Sequence, residues 1–319
     1  MNKNVINENV INKCAMDVNT MTINASFDEF IENMKKQEKV VNYLQIRQHG
    51  EVIFDWGRLS QKSRLNTWSV SKSFISVAVG IAMDEGLITL DEKICDSFLE
   101  YLPSNPSENL LNLTVRHMLT MTTGVSHSLF FDNHPERYVT EDWIAYFFSQ
   151  EFPYKPGERF LYCNFNTYIL GCLIEKKSNM DIMEYLIPRL FTPLKIYSPD
   201  WTRCPKKHIH AANGLYLTID EFGRFGQMVL DGGIFEGKRI VSKEYLDMAT
   251  KNQLPTEWDL KYGFQFWINP DGVSYRSDGK YGQYIIILPQ KDMVVSMQSL
   301  SEGEMFAEVW NFIEQLSDN

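Results

Sequence analysis

The sequence predicts an α+β fold: one antiparallel sheet built from both chain ends, flanked by helices, with a large and mostly helical middle region. Three observations predict it. β-prone runs occur early, in NYLQIRQHGEVIFDWG, and again late, in YGFQFWINPDGVSYRSDGKYGQYIIILPQKDMVVSMQS. Between them, over roughly residues 90–250, helical patterns with Gly-marked ends dominate. Strands at both ends around a helical middle require the two ends to share a sheet.

Taken in order, residues 1–24 read as a polar, Asn-rich leader, and residues 25–319 as one domain without internal repeat or low-complexity linker. FDEFIENMKKQEKV has apolar residues at helical spacing. NYLQIRQHGEVIFDWG gives two strands turning at His49-Gly50. The run LNTWSVSKSFISVAVGIAMDEG predicts a buried helix stopped at Gly86. LTVRHMLTMTTG, NTYILGCLIEKKS and TIDEFGRFGQMVLDGG predict further helices, the first ending at Gly124. The late β-rich stretch turns at NPDG and PQKD, and EMFAEVWNFIEQL predicts a closing amphipathic helix.

Composition excludes some functions. A formal net charge of -10 argues against nucleic acid or an anionic membrane as partner, since either requires a cationic face. The N-terminal stretch has no uninterrupted apolar segment of the signal-peptide kind, and no later stretch is long and apolar enough to span a bilayer. Five cysteines (Cys14, Cys95, Cys163, Cys172, Cys204), odd in number and without C-x-x-C spacing, read as reduced thiols of a cytoplasmic protein. His208-Ile-His210 lacks a third ligand in the neighbouring sequence and reads as a surface loop, so neither metal nor cofactor is expected.

Two Ser-x-x-Lys pairs occur. Ser69 and Lys72 stand on one face at the start of the apolar helix, near the positive end of its dipole. Ser277 and Lys280 fall in an SDG turn between strands. A first-turn serine is commonly a cap. A lysine on the first turn of a buried helix is different, because a desolvated amine becomes a usable base. Tyr162-Cys163-Asn164 places a phenol where flanking ammonium groups would lower its pKa toward neutrality and let it relay a proton. Three Lys-x-Gly triplets follow, at Lys155, Lys261 and Lys280.

The order SVSK, YCN, GKYGQYIIILP resembles that of the β-lactamase-related serine hydrolases: class C β-lactamases, low-molecular-weight penicillin-binding proteins, and esterases and amide hydrolases of the 6-aminohexanoate-dimer hydrolase kind. Connecting phrases such as GLITLDEKI, LTVRHMLTMTTGV, KPGERFLYCNFNTYILG and YGFQFWI carry the likeness over roughly residues 40–300. The resemblance selects Lys280-Tyr281-Gly282 as the third motif, on a strand. It implies Ser69 as nucleophile, Lys72 or Tyr162 as its base, and Lys280 holding both in their charge states. It further implies an oxyanion site between the N–H groups of Ser69 and Gln283, and Asn164 on a substrate amide. Tyr281, bulkier than the usual middle residue, counts against β-lactam turnover. The expected activity is cleavage of a small ester, amide or peptide through a Ser69 acyl-enzyme. A penicillin-binding D-alanyl peptidase or β-lactamase, and a non-catalytic ligand-binding or sensor protein on this fold, are the alternatives. The sequence carries no sign of the oligomeric state.

Overall fold

The structure, a computed structural model, describes residues 23–130 and 134–316. The expected polar leader, apart from residues 23 and 24, lies outside the described residues, as does Cys14. Helix α1 spans 23–36 and buries Ile23, Phe27, Phe30 and Met34, whose spacing puts them on one face. The hairpin follows as β1 (Val41–Gln48) and β2 (Glu51–Gly57), with His49 and Gly50 both at positive φ in its turn. Near the other end come β3 (Trp267–Ile268), β4 (Tyr275–Gly279), β5 (Gln283–Leu288) and β6 (Met293–Ser299).

All six strands form one antiparallel sheet in the order β2-β1-β6-β5-β4-β3. The chain ends meet at β1 and β6, where Leu44 stands opposite Met297 and Ile46 opposite Val295. One face of the sheet packs Leu44, Ile46, Ile286 and Val295 beneath α1 and the closing helix at Phe306–Gln315. The other face sets Ile285, Ile287 and Val294 in a larger core with Phe222 and Phe225. Strands covered on both sides lose the alternation of a half-exposed sheet, which is why β5 reads as the unbroken apolar run QYIIIL.

The longest helices in that larger core are α2 (Ser71–Asp84), α3 (Asn164–Ser178) and α4 (Ile219–Leu230). Gly86, at φ +72°, stops α2. A capping box between Thr218 and Glu221 starts α4, and Asn179, in the left-handed conformation, ends α3. The helix expected to reach Gly124 stops at Leu119, because Met121 already takes a positive φ. Three short strands, Leu65–Asn66, Asp200–Trp201 and Leu215–Leu217, pair as a separate sheet beside the start of α2. Among the described residues no helix is long and apolar enough to cross a membrane.

Helix α4 lies close against the sheet because Gly226 has no side chain. A Cβ there would stand 2.5 Å from Val294 Cγ1 and 2.8 Å from Ile285 Cγ2. Both are stiff, β-branched neighbours in a filled core. Gly226→Ala should therefore destabilise the protein by about 1–3 kcal/mol, although alanine is the better helix former by about 1 kcal/mol. Urea unfolding measures the difference; a gain in stability would mean that α4 is free to move away from the sheet.

Candidate active site

Ser69 sits in a single 3₁₀ turn, Trp68–Val70, that runs directly into α2. Trp68 adopts φ +49°, a strained conformation for a bulky residue, and is held there from both sides. Its N–H donates to Asn66 Oδ1 at 2.9 Å, and the same oxygen accepts from Gly214 N–H at 3.2 Å. Thr67 N–H donates to the Leu215 carbonyl at 2.8 Å. The nucleophile turn is thereby tied to the loop and strand at 211–217.

Lys72 follows three residues later and is buried, with 1% of its surface exposed. Its Nζ lies 3.0 Å from Ser69 Oγ, 2.8 Å from Asn164 Oδ1 and 3.0 Å from the Ala212 carbonyl oxygen. It also stands 4.8 Å from the centre of the Tyr162 ring. Tyr162 shares a side-chain hydrogen bond with Ser69. Ser69, Lys72, Tyr162 and Asn164, separated by up to 95 residues in the chain, thus meet around one hydroxyl.

Two of these differ from expectation. Burial pushes the Tyr162 phenol above its ordinary pKa rather than toward neutrality; the Asp278 carboxylate adds to that push, and the Ser69 hydrogen bond works against it. Asn164 gives its oxygen to Lys72, and its Nδ2 donates to the Phe130 carbonyl at 3.1 Å. Its amide therefore orients the lysine first.

The third motif lies elsewhere than the sequence suggests. Lys280, Tyr281 and Gly282 are not on a strand; they form the turn between β4 and β5. Tyr281 (φ +64°) and Gly282 (φ +77°) are both left-handed, and a Cβ on Gly282 would meet Met305 Sδ at 2.7 Å. Gly282 is thus required by the turn and by packing. Lys280 is exposed, its ammonium 5.7 Å from the Trp68 ring centre and 4.7 Å from that of Tyr281. The Trp68 and Tyr281 rings meet edge to face at 5.0 Å and wall one side of the cleft. Gln283 is the first residue of β5, opposite Gly279, with its side chain buried and donating to the Tyr281 and Ser299 carbonyls.

What adjoins the nucleophile is the end of β4. A Cβ on Gly279 would lie 2.5 Å from the Thr67 carbonyl oxygen and 3.2 Å from Val70 N, so only glycine admits this approach. Ser277, two residues back, faces the same side of the strand and is buried. It is therefore not in a turn, as the sequence suggested, but on the strand beside the nucleophile. Beyond Arg276, which pairs with Trp267, β4 has no described strand on its outer edge.

The cleft holds about 750 Å³ and is lined by Trp68, Ser69, Tyr162, Trp267, Asp278 and Lys280 among others, with Glu302 and Glu304 at its rim. Asp278 accepts from Arg276 Nε at 2.9 Å. Its carboxyl is nevertheless pushed up to about 6, chiefly by burial and further by Glu304, against the attraction of Arg276. Gly279, Asp278, Asn66 and Ala212 were not singled out from the sequence. The non-glycine left-handed residue Ala211, at φ +60°, is a strain signal visible only in the fold.

A profile of the Beta-lactamase family matches residues 27–316. An uncharacterized protein of Alkalihalophilus pseudofirmus is 25% identical over 88% of this chain and 90% of its own length. The 6-aminohexanoate-dimer hydrolase of Paenarthrobacter ureafaciens is 25% identical over 71% of this chain and 64% of its own. The Beta-lactamase of Escherichia coli K12 is 23% identical over 71% of this chain and 66% of its own, so the chain spans just under two thirds of the latter two proteins. The fold is shared with a penicillin-binding protein homologue from Pyrococcus abyssi (TM-score 0.73, 21% identity, 92% of this chain and 77% of that one). It is shared also with a penicillin-binding protein homolog from Caulobacter crescentus (TM-score 0.75, 14% identity, 93% and 97%). With a family profile running across residues 27–316 and over the Ser69–Lys72 pair, the chain belongs to the Beta-lactamase family.

Proposed function

We propose that the protein cleaves a small ester or linear amide through an acyl-enzyme on Ser69. The observation that carries this reading is the contact set of Lys72. As a free amine, its Nζ would donate to Asn164 Oδ1 and the Ala212 carbonyl, leaving its lone pair for the Ser69 hydroxyl proton. As an ammonium it would donate to all three oxygens, so the same geometry serves both halves of a proton transfer. Ser69 Oγ attacks the carbonyl carbon, and its proton passes to Lys72. Tyr162, a phenol at rest because burial raises it, gives its proton to the leaving group and is reprotonated by the Lys72 ammonium, which returns to the free amine. In deacylation water gives a proton to Lys72 as its oxygen attacks the acyl carbonyl, and Ser69 Oγ leaves, taking that proton back as the hydroxyl while the acid departs.

The developing oxyanion needs two donors. The N–H of Ser69 belongs to the first turn of a helix, where backbone donors lack helical partners. The second donor in this reading is the N–H of Lys280, the residue after Gly279, because Gly279 is the strand residue in contact with the nucleophile turn. Gln283, one strand further away, is set aside. The open edge of β4 would then receive an extended acyl chain, and the Trp68–Tyr281 wall suits a narrow group better than a fused bicycle.

Ser69→Ala should abolish hydrolysis of p-nitrophenyl butyrate with the far-ultraviolet circular dichroism unchanged. Lys72→Ala and Tyr162→Phe should each lower kcat by ~10²-fold or more. The substrate class is tested by kcat/KM for p-nitrophenyl butyrate against nitrocefin on one preparation. A higher value for nitrocefin would replace the esterase reading with a β-lactamase, and no turnover of any ester, amide or penicillin would favour a binding protein.

Gly279→Ala should lower kcat ~10²–10³-fold, the scale of a lost oxyanion donor, because the added methyl forces β4 away from the Ser69 turn. Wild-type kcat in this variant would remove β4 from the oxyanion site.

Asp278 adds a pH dependence to stability. Its carboxyl ionises at about 6 in the folded protein against an ordinary 3.8, so the folded state keeps a proton that the unfolded chain has lost. The resulting stability is fully present below pH 3.8 and is lost as pH rises through about 6. Relative to Asp278→Asn, the wild type should lose about 1–3 kcal/mol across that window and nothing further above it. Urea midpoints at pH 4, 5, 6 and 7.5 give the curve, and a pH-independent difference would show that Asp278 ionises normally.

A further inference from the structure

Helix α3 begins at Asn164, which orients Lys72, and continues for two to three turns to Cys172 and Glu175, which share a face at i and i+3. Against that face lies the loop leading back to Ala212. The loop is folded on itself: Cys204 N–H donates to the His208 carbonyl at 2.8 Å, and His210 N–H to the Thr202 carbonyl at 2.8 Å. This separates two histidines that the sequence places side by side. His210 turns inward, its Nδ1 3.1 Å from Asn213 Oδ1 and its ring against Trp143. His208 turns toward α3, where its Nδ1 pairs with Glu175 Oε2. The Cys172 sulfur, a Glu175 oxygen and a His208 ring nitrogen all lie within 4.8 Å of one another.

We propose that Cys172, Glu175 and His208 bind a divalent cation of the zinc class, with Cys204 as fourth ligand, pinning the Ala212 loop to α3. Donors bound to one tetrahedral zinc at about 2.0–2.3 Å are roughly 3.4–3.8 Å apart, so the cluster needs an adjustment of about 1 Å or less. A soft thiolate, an imidazole and a single carboxylate suit zinc and exclude magnesium or calcium, which take all-oxygen sets. Cys204 lies outside that 4.8 Å group but is linked to it: its sulfur is 3.4 Å from the Tyr168 hydroxyl, which also engages Cys172, so it would move in as the fourth ligand. The spacings are Cys-x₂-Glu on the helix and Cys-x₃-His on the loop, each bringing two ligands to one side. The thiols are buried, whereas the His208 and Glu175 side chains are 31% and 13% exposed and give a cation its entry. Binding exchanges the Cys172 and Cys204 thiol protons for the ion, with Glu175 binding as carboxylate and His208 as neutral imidazole and no change of oxidation state. The proposal does not depend on the ester or amide reading, because the cluster does not touch the substrate.

The test is a cobalt titration of the chelator-treated, reduced full-length protein. One equivalent of Co²⁺ should give a thiolate-to-cobalt charge-transfer band in the near ultraviolet with the strong visible bands of tetrahedral cobalt, and one equivalent of Zn²⁺ should bleach both. Cys95→Ser, in a buried thiol elsewhere, should leave them unchanged. Cys172→Ser should lose the charge-transfer band by half or more, and His208→Gln, at a partly exposed position that tolerates change, should weaken Co²⁺ binding by at least about tenfold. Zinc should raise the melting temperature of the wild type and not of His208→Gln. Octahedral cobalt without the sulfur band, or wild-type binding in His208→Gln, would overturn the site and leave the His208–Glu175 pair as a surface ion pair.

Discussion

A lysine amine removed from water must be given oxygen partners, and the placing of Lys72 organises everything else in the site. Its three partners come from three places: Ser69 in its own first turn, Asn164 at the start of α3, and the Ala212 carbonyl in the loop before Leu215–Leu217. None can move without leaving a buried polar group unpaired. The α2–α3 packing in the main core therefore fixes Lys72 against Asn164, and the loop at 211–214 is held to the same tolerance. The strained conformations at Trp68 and Ala211 follow from this: each turns the chain so that a backbone or side-chain atom is aimed inward, at a cost of about 1–3 kcal/mol apiece that the surrounding hydrogen bonds offset.

The sheet contributes the other half of the site. Lys72 and Ser69 rest on the helical core, but the side of the cleft next to them is the end of β4. The two halves touch where Gly279 meets Thr67 and Val70. β4 is fixed in turn by its register with β5, and β5 by β6, which pairs with the first strand of the domain. The two chain ends are thus required in one sheet for a reason beyond burial: the β1–β6 pairing sets the position of the β4 edge against the nucleophile.

Most of this architecture was legible in the sequence because its signals are local. The apolar spacing of α1, the helical run TIDEFGRFGQMVLDGG of α4 and the turns at His49-Gly50 and NPDG each depend on neighbours within a few positions. Ser69, Lys72 and Tyr162 were legible as an ordered set, since the first two share a helical face and the third begins the loop into α3. The third motif was not. Lys280-Tyr281-Gly282 has the right composition, but two successive left-handed residues make it a turn, and the strand against Ser69 ends one residue earlier. Whether a glycine serves a turn or a close approach depends on the chain across from it, and for Gly279 that chain is more than 200 residues away. The Tyr162 phenol misled for a related reason. Motif reasoning counts charges near it, whereas its burial and the Asp278 carboxylate decide the direction.

Asp278 shows what this arrangement sacrifices. A carboxyl raised to about 6 by burial is a carboxylate held at neutral pH against its environment, and Arg276 only partly compensates. An apolar residue or an amide there would make a more stable protein. A charge retained at net cost in a cleft beside a nucleophile is better explained by what enters the cleft than by the fold. Glu302 and Glu304 line the same cleft as Asp278, and so does Lys280, whose ammonium stands by the Trp68 and Tyr281 rings. The acidic character of the cleft therefore comes in part from Asp278, the strand residue next to Gly279, which also sets the pH dependence of the fold.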